Sequence, residues 1–234
     1  MTGSQAPEPT WQDVCAWFET IDALIRGLGH SLNNRALALS ATTESLDPRR
    51  PLGGEITTAL TRETERLSEQ LRQLRALPFD VASEPMPLLI RDVLASAIRL
   101  HRTHASLGQV PVYLEGAAEA PPVLAPESSL VHAMLVLLTA LKAFAAPNGV
   151  VRVYFEGTAE ELVVRFEALR DPGDVHEGSG GAVLVRPTAL AAALLQGAGL
   201  ETSQQLGPEV ARVVWVLPSL KVMRRRGREA AADG

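Results

Sequence analysis

A long apolar stripe near the start of the chain most restricts what it can fold into. From Val14, apolar residues recur at Phe18, Ile21, Ile25, Leu28, Leu32 and, past Arg35, Leu39. This four-three alternation keeps one face of a helix apolar over about seven turns. The segment LDPRRPLGG ends it, because Pro48, Pro51, Gly53 and Gly54 do not continue a helix. A second stripe follows, with Ile56, Leu60, Leu67, Leu71 and Leu74 on one face and Glu63, Arg66, Glu69, Arg72 and Arg75 mostly elsewhere. Two such helices joined by a short loop form an antiparallel hairpin. A hairpin alone cannot bury both stripes, so the expected partner is a second copy, giving a homodimer built on a four-helix bundle.

The segment ALPFDVASEPMP breaks the helical pattern, and beyond it the texture changes. Residues 88–107 read as a helix, VPVYLEG as a strand and ESSLVHAMLVLLTALKAFAA as a buried helix. VVRVYFEG and ELVVRFEAL read as strands about a turn at Gly157. After a glycine-containing loop comes a helix over roughly 183–197, then a hairpin of GLETSQQL and ARVVWVLP turning at Gly207-Pro208. The expected class is α+β, a helical hairpin followed by an α/β sandwich. The divisions are a flexible arm over 1–10, the hairpin over 11–80, the α/β domain over 86–220 and a basic tail over 221–234.

Charge narrows the function. The 234 residues carry a formal net charge of −5, which argues against a chain whose whole surface grips nucleic-acid phosphates. Residues 221–234 nonetheless hold Lys221, Arg224, Arg225, Arg226 and Arg228 against Glu229 and Asp233. The Arg224–Arg226 run reads most simply as a solubilising tail. Cys15 is the single cysteine, so no internal disulfide forms. The N-terminus lacks a signal-peptide pattern and the apolar run around His132 is broken by that residue and Lys142. These readings predict a cytoplasmic protein with no membrane partner.

The candidate chemistry lies in GLGHSLNNRALAL. His30 is two residues from each of the seam positions Leu28 and Leu32, about 200° around the helix, and so faces outward. Asn34, four residues on, shares that face. An exposed imidazole on a rigid bundle is a usable nucleophile that can hold a phosphoryl group. An ordinary surface histidine is the plainer reading of His30, as an idle surface amide is of Asn34. Ser31, Asn33 and Arg35 flank His30 and are expected to meet whatever docks there.

His30-Ser31-Leu32-Asn33-Asn34 resembles the H-box of bacterial sensor histidine kinases, set on the first helix of a dimerisation and phosphotransfer hairpin. The order of elements is similar too, with an α/β module like the kinases' ATP-binding domain at the end. The resemblance covers most of residues 11–220, and the departures are informative. It implies an acidic base after the histidine, where Ser31 stands, and commonly a proline where Arg35 stands. It implies two Mg²⁺-binding asparagines on the helix 130–145, where Val136 and Ala140 stand. It implies an Asp-x-Gly-x-Gly box, of which Asp171-Pro172-Gly173 keeps a fragment, followed by Asp174 and no second glycine. Gly178, Gly180 and Gly181 resemble a shortened phosphate loop, a plain loop being the commoner reading.

Three degraded boxes speak against ATP binding and autophosphorylation. The resemblance then narrows to dimeric histidine phosphotransferases with a degenerate ATPase-like domain. It implies that His30 takes a phosphoryl group from one response-regulator receiver domain and passes it to another, with Asn34 assisting or orienting a water for dephosphorylation. The chain would bind no cofactor, and the receiver would supply Mg²⁺. A non-catalytic pseudokinase scaffold and a divergent active kinase remain as alternatives. Of the other histidines, His101 and His104 read as a solvated helix end, His132 as a partly buried hydrogen-bonded side chain, and His176 as a loop residue.

Overall fold

The computed structural model describes residues 11–44, 46, 53–75, 77–80, 83–117, 119–171, 173 and 182–232. The arm over 1–10, Pro48 and Pro51, Pro172, Asp174, His176, and Gly178, Gly180 and Gly181 lie outside the described residues. Helices α1 (Trp11–Glu44) and α2 (Gly54–Arg75) form the hairpin. Their antiparallel register shows in two cross-links. Gln70 Nε2 donates to Ser31 Oγ, and Arg35 pairs with Glu63 at 2.9 Å.

The second half contains β1 (Pro85–Leu88), α3 (Ile90–His101), β2 (Val112–Gly116), β3 (Val123–Pro126) and α4 (Glu127–Ala145). Next come β4 (Val150–Gly157), β5 (Glu161–Leu169), α5 (Ala182–Leu194), β6 (Glu201–Leu206), β7 (Val210–Pro218) and α6 (Leu220–Ala232). Five strands form one mixed sheet in the order β2-β4-β5-β7-β6, with β2 parallel to β4 and the other pairs antiparallel. Period-two patterning sets the buried face. Val151, Val153 and Phe155, then Leu162, Val164, Phe166 and Ala168, then Ala211, Val213, Trp215 and Leu217 all point inward and are buried. Phe166 and Trp215 meet edge to face at 4.9 Å, a geometry the ring quadrupoles favour. The layer opposite is built on α4, which is buried on nearly every side. Among the described residues α4 is the one helix long and apolar enough to cross a membrane, and 83% of its apolar window is buried inside the protein.

Three features depart from the expectation. β1 and β3 pair as a separate two-stranded sheet, which the sequence pattern does not predict. Residues 221–232, read as part of a basic tail, are helical in α6. The stripe of α1 is also divided. Ile21, Leu24 and Leu28 are buried, whereas Phe18 and Ile25 are 58% and 46% exposed. The reason is a second partner. The first half of α1 lies on the α/β domain, where Trp17 Nε1 donates to His132 Nδ1 at 3.0 Å and the Ala105 amide donates to the Ala23 carbonyl at 3.3 Å. Gly27 allows the approach, since a Cβ there would overlap the Thr103 carbonyl.

His132 is buried as expected, and burial pushes its pKa down to about 4 against the opposing pull of the Pro78 and Leu77 carbonyls. Below about 6.5 the unfolded chain therefore takes up a proton that the folded chain refuses, and stability is lost as pH falls toward 4. The melting temperature is expected to drop steadily between pH 7 and pH 5. His132→Asn, which keeps an acceptor for Trp17, should make that drop smaller.

Candidate functional site

His30 is exposed on α1, and its Nε2 lies 3.1 Å from Asn34 Nδ2. The amide N–H donates to the ring nitrogen, which places the imidazole proton on Nδ1 and a lone pair on Nε2. Helical periodicity causes the pairing, because residues four apart stack on one face. Asn33 is exposed beside them. Ser31 and Arg35 turn toward α2 and are half-buried, so the five residues of the segment divide between an outer face and the hairpin interior.

The interior side is a charge network that the sequence reading did not find. Glu63 receives Arg35 at 2.9 Å and Arg66 at 2.6 Å. The Arg66 hydrogen bond, helped by Arg35, holds its carboxyl below the ordinary range against the opposing effect of burial. The available signal was Arg35 itself, a cation in an apolar stripe that needs a partner across the hairpin.

The N-terminal half of α1 covers the α4 face where the resemblance implies a Mg²⁺ site. Val136 and Ala140 are 2% and 5% exposed. With Ala16, Thr20 and Ala23 of α1 they line a cavity of about 320 Å³. No oxygen or nitrogen ligand stands at either position. Among the described residues, no group of three or more His, Cys, Asp or Glu side chains is placed to hold a metal ion.

Behind α1 the structure corrects the reading of His101 and His104. Far from being a solvated helix end, they are 0% and 8% exposed and stack at 5.0 Å. The cause is α4, whose Thr139 Oγ1 lies 2.9 Å from His101 Nε2 and whose Lys142 Nζ lies 3.4 Å from His101 Nδ1. Burial first, then the Lys142 charge, pushes both histidines down. Lys142 is itself buried, and burial, with repulsion from Arg102, lowers its pKa from 10.5 to about 8. Between those values the unfolded chain binds a proton that the folded chain does not, so stability rises with pH across that window and the penalty is complete below it. Lys142→Met keeps the apolar stem and is expected to stabilise the chain by about 1 kcal/mol at pH 7. Unfolding followed against pH should show the rise between about 8 and 10.5 disappear in the variant.

A helical hairpin with an exposed, amide-held histidine, packed by its first helix on a layered α/β domain, is the class of protein that fold and site define. Solved structures to which the chain is similar include histidine kinases and a bacterial phosphotransferase. The phosphotransferase is 18% identical, with a TM-score of 0.43 over 91% of this chain and 100% of that one. A histidine kinase from Burkholderia phymatum is 16% identical, with a TM-score of 0.47 over 90% of this chain and 99% of that one. Histidine kinase AdeS from Acinetobacter baumannii is 11% identical, with a TM-score of 0.46 over 82% and 98%. No protein-family model matches the chain, and no curated protein matches it.

Proposed function

We propose that this chain is a histidine phosphotransfer protein of a two-component phosphorelay. It acts as a homodimer, and His30 takes a phosphoryl group from one receiver domain and gives it to another without an ATP step of its own. The observation that carries the reading is the division of α1. Its outer face presents His30 with the Nε2 lone pair held by the Asn34 amide, while its inner face lies on the apolar Val136 and Ala140. Nε2 attacks the phosphorus of an aspartyl phosphate, the N–P bond forms, and the acyl P–O bond breaks with its electron pair leaving on the receiver's carboxylate. The receiver supplies Mg²⁺ for the charge on the transferring group, so this chain needs little beyond a positioned imidazole. Asn34 releases Nε2 and then hydrogen-bonds the phosphoryl oxygens.

The dimer is supported by apolar surface that one hairpin leaves uncovered. Phe18 and Ile25 on α1, and Ile56, Leu71 and Leu74 on α2, are exposed. The α2 residues lie within about 60° of one another around the helix, as a bundle seam requires.

The test is incubation with a panel of phosphorylated receiver domains, followed by detection of acid-labile label. Uptake from at least one receiver is expected, and no uptake from any would overturn the proposal. Label acquired from Mg-ATP alone would overturn the absence of an ATP step. Asn34→Ala is expected to slow transfer by about tenfold with folding unchanged, the scale for losing one polar contact to a charged group. An unaltered single-turnover rate would remove Asn34 from the site.

A further inference from the structure

Helix α6 carries Lys221, Arg224, Arg225 and Arg228 at the spacing i, i+3, i+4 and i+7. That spacing gathers four cations on one face about 100° wide. Among the described residues none of the four makes an ion pair. Like charges at these separations repel one another along a helix, and an anionic partner relieves the repulsion.

The same face forms one wall of a groove of about 590 Å³. Its other surfaces include Pro121, Pro122, Ala159 and Leu220, and Glu160 and Glu229 also line it. Two carboxylates against four cations leave the groove positive, in a chain whose residues 1–220 carry a net −8. The wall is anchored. The Leu220 amide donates to the Pro122 carbonyl at 2.8 Å, Ser219 Oγ donates to the Ala159 carbonyl at 2.8 Å, and Val222 is 7% exposed.

We propose that this groove docks an acidic amphipathic segment of another protein. Its carboxylates pair with Lys221, Arg224, Arg225 and Arg228, and its apolar side chains sit on Pro121, Pro122 and Leu220. Two observations favour this occupant over other anions. Val222, on the inner side of α6, is already packed in the protein, which withholds it from insertion into a lipid surface. The apolar floor offers nothing to a phosphodiester backbone, which rewards cations alone. The proposal stands independently of phosphotransfer at His30.

Fluorescence anisotropy on the full chain tests it. One labelled probe is a peptide with Glu and Leu on opposite faces of a helix, and a second has Gln in place of each Glu. The Glu peptide is expected to bind at least about tenfold more tightly, and the double variant Arg224→Glu/Arg228→Glu to lose at least about tenfold of that affinity. Rising salt should weaken the Glu peptide selectively. Equal affinity for the two peptides, or binding unchanged in the double variant, would overturn the proposal. So would tighter binding to a DNA duplex or to phosphatidylserine vesicles than to the Glu peptide. Should far-UV circular dichroism show that charge reversal unfolds the chain, Arg224→Gln/Arg228→Gln provides the same comparison without added acids.

Discussion

His30→Ala is expected to abolish uptake of phosphoryl label from a phosphorylated receiver domain, a fall of at least about 1,000-fold in single-turnover rate, as for loss of an attacking group. The size follows from the absence of a substitute among the described residues. Of the described histidines, His101, His104 and His132 are 0%, 8% and 0% exposed, out of reach of a partner as large as a receiver domain. Stability should barely change, within about 0.5 kcal/mol, because the side chain is exposed and alanine favours the helix. A loss of transfer with an unaltered unfolding curve therefore reports chemistry rather than folding. Label retained by His30→Ala at the wild-type rate would sink the assignment of the acceptor.

Gly27→Ala is expected to destabilise the chain by about 3 kcal/mol, the upper end of the range for forcing atoms into a packed interior. A Cβ at Gly27 would overlap the Thr103 carbonyl oxygen and come 2.8 Å from its carbon. Those are backbone atoms, which cannot swing aside as a side chain can. To make room, α1 must lift from the domain, which strains the bond from the Ala105 amide to the Ala23 carbonyl and the bond from Trp17 to His132. Gly29, two residues on, is the control, since nothing lies within 4 Å of its Cβ position. Gly29→Ala should be neutral or stabilising by up to about 1 kcal/mol, because alanine is the better helix former. Urea unfolding distinguishes the two, and hydrogen exchange should show lost protection in the first half of α1 for the Gly27 variant alone. Equal behaviour of the two variants would mean that α1 is not held to the domain as the structure has it.

Much of this architecture was legible in the chain because it rests on local periodicity. Residues two positions from a seam lie across the helix, so the outward face of His30 and its pairing with Asn34 followed from Leu28 and Leu32 alone. The strands followed in the same way, as in Val151, Val153 and Phe155, whose alternation reappears as the buried face of β4. The β1–β3 pair was not legible. Its two four-residue strands contain Pro85, Pro87 and Pro126, and they are strands only because they find each other across 34 residues or more. The helical state of α6 was likewise hidden behind a run of arginines that reads as a tail.

The sequence by itself determined which faces are apolar, where the first two helices part, and which face of α1 bears His30. The tertiary structure alone decided what covers each apolar face. Leu24 is buried and Ile25 exposed on the same helix, because α1 rests on α4 and the turn after α3 as well as on α2. His101 and His104 are buried beside Lys142 because α4, distant in sequence, lies over them. Periodicity is a property of neighbouring residues and survives in any context. Choice of partner depends on shape and charge brought from elsewhere in the chain, and so it exists only once the elements have packed.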